Sequence, residues 1–283
     1  MGWQTVATLS TVLRRHPAFD AALIRHTDGI LDMRSRIRNT SKLFGKEERC
    51  RSYNIYAILA AEADRDGHNA IALADFLEAA RLAEVSDRTA KTVASLLPYF
   101  GFADQTVDHA DRRRRLLVPR QRTWTYMTEW SAPTFEALEI LGQSFEGDRR
   151  AVVRDAFASA KSDYISGSLS FFGADPQFTR IFAYLEGGSL LCMAAVAAAL
   201  NGTPTLSLGE ASERFAISKA QLSRVVAEGR ACGLFTSAAK VTPSEAMIRQ
   251  YSDTVSIVLA FIMHHRDAAA RRLGIGQDQA AAA

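Results

Sequence analysis

Apolar positions recur along nearly the whole chain at three- and four-residue spacing, with Gly and Pro gathered into short breaks. That period is the mark of amphipathic helices packed about a common core. It predicts helices over residues 17–38 (with a break admitted at Gly29), 51–64, 73–81 and 87–97. Further helices are predicted over 134–141, 148–159, 177–199, 208–215, 219–232 and 244–272. Two-residue alternation is scarce. Segments 102–107 and 114–118 are expected to pair across 108–113 as one small hairpin, and the tail from 274 onward has nothing to pack against.

The pattern also repeats. At a shift of 132 residues Val85-Ser86 falls on Ile217-Ser218, Ala90 on Leu222, Val93 on Val225, Gly101 on Gly233 and Phe102 on Leu234. The shared order is an apolar residue and Ser, a helix, a Gly, then an apolar residue. This predicts two units of ordinary domain length: 1–132 with N-terminal helices, and 133–283 with connecting and C-terminal helices.

Each unit reads as a short helix, a tight turn and a Ser-capped second helix. In the first, Ala90, Val93, Leu96 and Leu97 share one face, while Asp87, Arg88, Lys91, Thr92 and Ser95 share the other. A helix-turn-helix divides its residues this way, one face anchored and the other reaching base edges and phosphates. The hairpin that follows Gly101 carries Asp111-Arg-Arg-Arg-Arg115, and residues 111–122 hold six Arg against one Asp. Adjacent like charges repel, so a polyanion gives them a reason to coexist. In the second unit Leu222, Val225 and Val226 turn inward and leave Lys219, Gln221, Ser223 and Arg224 outward. Setting Val118 on Val241 makes its hairpin nine residues shorter, with Lys240 as the single cation, so it is expected to contact DNA weakly.

Gly101-Phe102 followed by Asp111-Arg-Arg-Arg-Arg-Leu-Leu-Val118 resembles the wing of the MarR-type winged-helix regulators, which carry Asp-x-Arg before an apolar strand. Val241-Thr-Pro-Ser244 is similar to the strand-to-helix junction after such a wing, without the Asp-x-Arg signature. The resemblance covers about residues 52–120 well and 184–272 loosely. It implies DNA-binding transcription factors that dimerise through terminal helices and set two recognition helices in successive major grooves. By that likeness Asp111 is the structural wing Asp and Arg113 the groove-reading Arg. Two units in one chain imply a monomeric pseudo-dimer in which residues near 134–141 and 244–265 pack together.

Composition narrows the classes rather than choosing one. Hydrophobic residues at 48% and charged residues at 23% exclude a mainly disordered chain, and a net charge of +3 is too mild to mark a nucleic-acid binder by itself. The apolar run 189–200 has 12 residues, where a membrane-spanning helix needs about 20. Cys50, Cys192 and Cys232 form no CxxC pair, which fits a reducing cytoplasm. The adjacent His264 and His265 point to different helix faces and lack the i, i+4 spacing of a metal pair. Neither a GxSxG elbow nor a Lys-bearing phosphate loop occurs. Neighbouring Lys46, Arg49 and Arg51 would lower the Cys50 pKa and admit a redox-sensor role. A second basic stretch, Arg34, Arg36, Arg38, Lys42 and Lys46, is either a solvated helix surface or a DNA contact. Trp124, Tyr126, Trp130, Phe171 and Phe172 serve either the core or an effector pocket.

The expectation is therefore a mainly α protein of two winged helix-turn-helix units with flanking packing helices. It would be cytoplasmic and non-enzymatic, a transcriptional regulator of double-stranded DNA that admits a small-molecule effector, with no cofactor, metal or membrane partner. Its DNA-binding residues would be Ser86, Arg88, Thr89, Lys91, Thr92, Arg112, Arg113, Arg114, Ser218, Lys219, Gln221 and Arg224. A plasmid-type replication initiator and a winged-helix protein-binding adaptor are the alternative readings.

Overall fold

A computed structural model describes residues 2–36, 41–172, 175–203, 205–237 and 241–275. Helix α1 (Gly2–Arg14) leads into α2 (Phe19–Arg36), which runs through Gly29 without a break. A short α3 (Ser41–Phe44) precedes α4 (Glu47–Arg65), whose apolar middle from Ile55 to Ala61 is buried all round. Strand β1 (Ile71–Ala72), α5 (Leu73–Leu82), α6 (Asp87–Tyr99), β2 (Ala103–Val107) and β3 (Arg115–Pro119) follow. The three strands form one antiparallel sheet in the order β1-β3-β2, with Leu117 buried at its centre. The hairpin expected from sequence is therefore present, its first strand starting one residue later and its second shifted by one. A ring cluster of Tyr53, Tyr56, Phe102 and Tyr126 fixes the sheet to α4, and the Tyr56 hydroxyl donates to the Phe102 carbonyl at 3.1 Å.

Helix α7 (Gln121–Ile140) begins well before residue 134 and carries Pro133 inside it. Beyond it lie α8 (Arg149–Ser159), α9 (Lys161–Gly167), a 3-10 turn (Ser168–Phe172) and α10 (Pro176–Thr179). The helix expected over 177–199 is not continuous. A π-helical turn (Arg180–Tyr184) follows α10, and Gly187, with φ of 79°, caps the almost wholly buried α11 (Gly188–Leu200), bent by 108° from it. Then come α12 (Leu208–Phe215), α13 (Lys219–Ala231) and the long α14 (Glu245–Arg272). Among the described residues no single helix is long and apolar enough to cross a membrane.

The 132-residue shift carries geometry as well as residue type. Helices α6 and α13 begin and end at positions 132 apart, each with a Ser N-cap. The non-glycine residues with positive φ among those described, Glu84 at 56° and Ala216 at 53°, are 132 apart in the two inter-helix turns. Gly101 at 71° and Gly233 at 75° end the two helices alike. Past the hairpins, Arg120 N donates to Phe102 O and Ser244 N to Leu234 O, both at 2.9 Å. That pairing sets Ser244 on Arg120, a shift of 124, so the second hairpin is eight residues shorter rather than nine. Among the described residues it holds one bridge, between Phe235 and Pro243, and Lys240 lies outside them.

The two halves exchange helices. Helix α2 packs against α7 of its own half and α11 of the other, while α8 packs against α14 of its own half and α4 of the other. Ion pairs follow these seams: Arg25 to Glu136 at 2.8 Å between α2 and α7, Arg154 to Asp64 at 3.5 Å between α8 and α4. The direct α7–α14 contact expected from sequence is minor. Arg266 of α14 lies over the Phe135 ring of α7 at 5.9 Å and, just past that helix, donates to the Gln143 carbonyl at 2.8 Å beside Phe145. The division drawn between residues 132 and 133 falls inside α7.

Candidate nucleic-acid interface

Ser86 anchors the N-terminus of α6. Its hydroxyl accepts from Thr89 N at 3.3 Å and donates to Glu48 Oε1 at 2.7 Å, while Ser86 N donates to the same oxygen at 3.1 Å. Burial raises the Glu48 pKa, but hydrogen bonds from Lys46 and Ser86 outweigh it and hold the carboxyl at about 2. An ionised Glu48 therefore ties the cap of α6 to α4. Ser86 and Thr89 have their hydroxyls engaged in that cap, which makes them positioning groups.

The face beyond the cap is open. Arg88, Lys91, Thr92 and Ser95 are exposed, and neither Arg88 nor Lys91 forms an ion pair among the described residues. Tyr99, 75% exposed at the end of the same helix, escaped the sequence reading because an aromatic residue there reads as core. The hairpin tip is shaped by Asp111, whose Oδ1 accepts from Arg113 N at 2.9 Å. Arg112, Arg113 and Arg115 are exposed without ion pairs among the described residues. Arg114 is exposed as well, but it lies 3.8 Å from Asp75 and 3.9 Å from Asp108.

The second unit is more self-contained. Ser218 and Gln221 form a reciprocal capping box, with Gln221 N donating to Ser218 Oγ at 3.3 Å and Ser218 N donating to Gln221 Oε1 at 3.2 Å. Arg224 is held by Glu228 at 2.7 Å, and Glu228 is also paired with Arg180 at 2.5 Å. Lys219 and Arg230 are the exposed cations of α13 without an ion pair among the described residues.

The remaining candidates moved. Arg34 is buried against Glu47 at 3.0 Å and donates to Ser189 Oγ at 3.1 Å, and Lys46 pairs with Glu48 at 2.7 Å, so both are engaged within the fold. Arg38 lies outside the described residues. Burial pushes the Cys50 thiol up despite the neighbouring Arg34, which removes the reactive thiolate expected from its basic neighbours. His264 and His265 come together with Asp163, their ligand atoms within 4.8 Å of one another, because the Asp163 carboxylate of α9 reaches His265 of α14 at 3.5 Å. Trp130, Phe171 and Phe172 line a cavity of about 150 Å³ between the halves, whereas Trp124 lies under Arg154 at 4.2 Å and Tyr126 stacks on Phe44 at 4.9 Å. No protein-family model, curated protein or solved structure matches the chain.

Proposed function

We propose that this chain is a sequence-specific double-stranded DNA-binding regulator of transcription, built from two winged helix-turn-helix units in one polypeptide. One observation carries the reading: Arg88, Lys91, Arg112, Arg113 and Arg115 are exposed cations without ion pairs among the described residues, on one capped helix and its following hairpin. Such a cluster is unfavourable alone and is neutralised by phosphates, whose condensed counterions leave on binding. Helix α6 is the recognition helix, with Arg88, Lys91 and Thr92 toward base edges and Arg112 and Arg113 on phosphates or in a minor groove. The order helix, strand, helix, helix, strand, strand over residues 47–119 supports a winged unit, as does the sheet order β1-β3-β2.

The second unit contributes less, through Lys219. The engagement of Arg224 and Gln221 within the fold favours a protein-docking role for that unit over a second full groove contact. Selection of bound duplexes from a random-sequence pool, followed by a salt titration on the enriched site, tests the proposal. A defined site whose affinity falls steeply with salt supports it. No enrichment, together with no salt-dependent binding to any duplex, overturns it.

A further inference from the structure

The charges around the central cavity do not balance. Its wall holds three guanidiniums, Arg34, Arg51 and Arg266, against the single carboxylate of Glu47. Arg34 takes Glu47 at 3.0 Å, and Arg266 is held by Asp267 at 2.7 Å and by the Gln143 carbonyl at 2.8 Å. Arg51 has no carboxylate among the described residues. It is 2% exposed, its Nη2 donates to the Ala83 carbonyl, and its Nε and Nη1 have no acceptor there. A buried guanidinium with two unmet donors is strongly unfavourable unless an anion completes it. Other unmet polar atoms belong to wall residues too: Arg34 Nε and Thr254 Oγ1.

We propose that this cavity binds a small carboxylic acid with an apolar body, its carboxylate held by Arg51. Nε and Nη1 each keep an unmet N–H, and either can donate a charge-assisted hydrogen bond to a carboxylate oxygen. A phosphate dianion fits worse. Only one cation of the wall lacks an anionic partner, Glu47 adds a negative charge, and the rest of the wall includes the rings of Phe171, Phe172, Phe182 and Phe261. A void of roughly 150 Å³ is known to hold a benzene-sized body, so the ligand's apolar part has about six to eight heavy atoms. The half-buried Phe157, Val258 and Ile262 carry the wall out to the seam between α8 and α14, which gives the ligand a way in. The site stands independently of the DNA-binding reading.

Calorimetric titration of the full chain with hexanoate and phenylacetate, against the neutral hexanol and 2-phenylethanol, tests the site. The acids should bind one to one and at least about tenfold tighter than the alcohols, as a charge-assisted hydrogen bond to a buried guanidinium requires. Arg51→Met should remove that preference and leave the alcohols within about twofold of wild type. Equal binding of acid and alcohol by the wild-type chain overturns the proposal, as does no binding of either, or an acid preference that survives Arg51→Met. Should Arg51→Met not fold, the wild-type comparison still decides. Ala160→Leu then serves as the second variant, since it fills the wall while keeping Arg51 and should abolish acid binding.

Discussion

Gly29 and Pro133 have meaning only as a pair. A Cβ added to Gly29 would lie 2.7 Å from Pro133 Cβ and 2.9 Å from its Cγ, inside any contact that real side chains make. A proline ring is anchored to its backbone and cannot swing aside. Gly29→Ala should therefore destabilise the protein by about 1–3 kcal/mol, although Ala is favoured over Gly in a helix by about 1 kcal/mol. Thermal or urea unfolding that left the variant at or above wild-type stability would refute the close approach. His26 sets a second residue-scale expectation. Burial first, and Arg34 second, lower its pKa from 6.5 to about 4. The folded state thus holds it neutral where the unfolded chain would protonate it. Its contribution is fully present above pH 6.5 and is lost as pH falls from there toward 4, by an amount on the order of 3 kcal/mol. Denaturant midpoints at pH 7.5, 6 and 5 should drop progressively, and less steeply in His26→Gln.

At the scale of elements, the two helices after each turn were legible because their signals are local. Ser86 and Ser218 cap within three residues, and the apolar face of α6 repeats within one helix. The start of α7 was not legible, because Pro133 reads as a helix breaker and only the facing Gly29, 104 positions earlier, explains its tolerance. Strand β1 has two residues and leaves no period to detect. The burial of Arg34 and Arg51 was hidden for a related reason: a cation in an amphipathic helix defaults to solvent, and its partners lie on other helices. Where sequence and structure agree best, the hairpin and α6, the expectation can be measured. Replacing Arg112 and Arg113 together with Ala should weaken binding to all duplexes and flatten the slope of log affinity against log salt by nearly 2, about 0.9 per phosphate contact. Arg88→Ala should instead cost about 1–3 kcal/mol on the selected site and much less on scrambled DNA. A loss for Lys219→Ala as large as that of the double hairpin variant would reject the unequal division of labour between the units.

The whole molecule is held by exchange. Neither half keeps its own packing helix to itself: α2 closes against α11, and α8 against α4. Side chains reach the same way, with Arg34 of α2 donating to Ser189 of α11 and Lys161 of α9 pairing with Glu62 of α4 at 2.7 Å. Separated halves would expose those faces, and a chain already carrying both partners presents them at very high effective concentration. The intact protein should therefore sediment as a monomer near 31.0 kDa in moderate salt. Residues 142–148 between α7 and α8 are mostly exposed, so the chain can be divided there with little loss of buried contact. Fragments 1–145 and 146–283, expressed alone, should each lack a cooperative unfolding transition. Expressed together, they should co-purify one to one and recover it. A single fragment that folds as a stable monomer would rule out the exchange, because each half would then contain a complete core of its own.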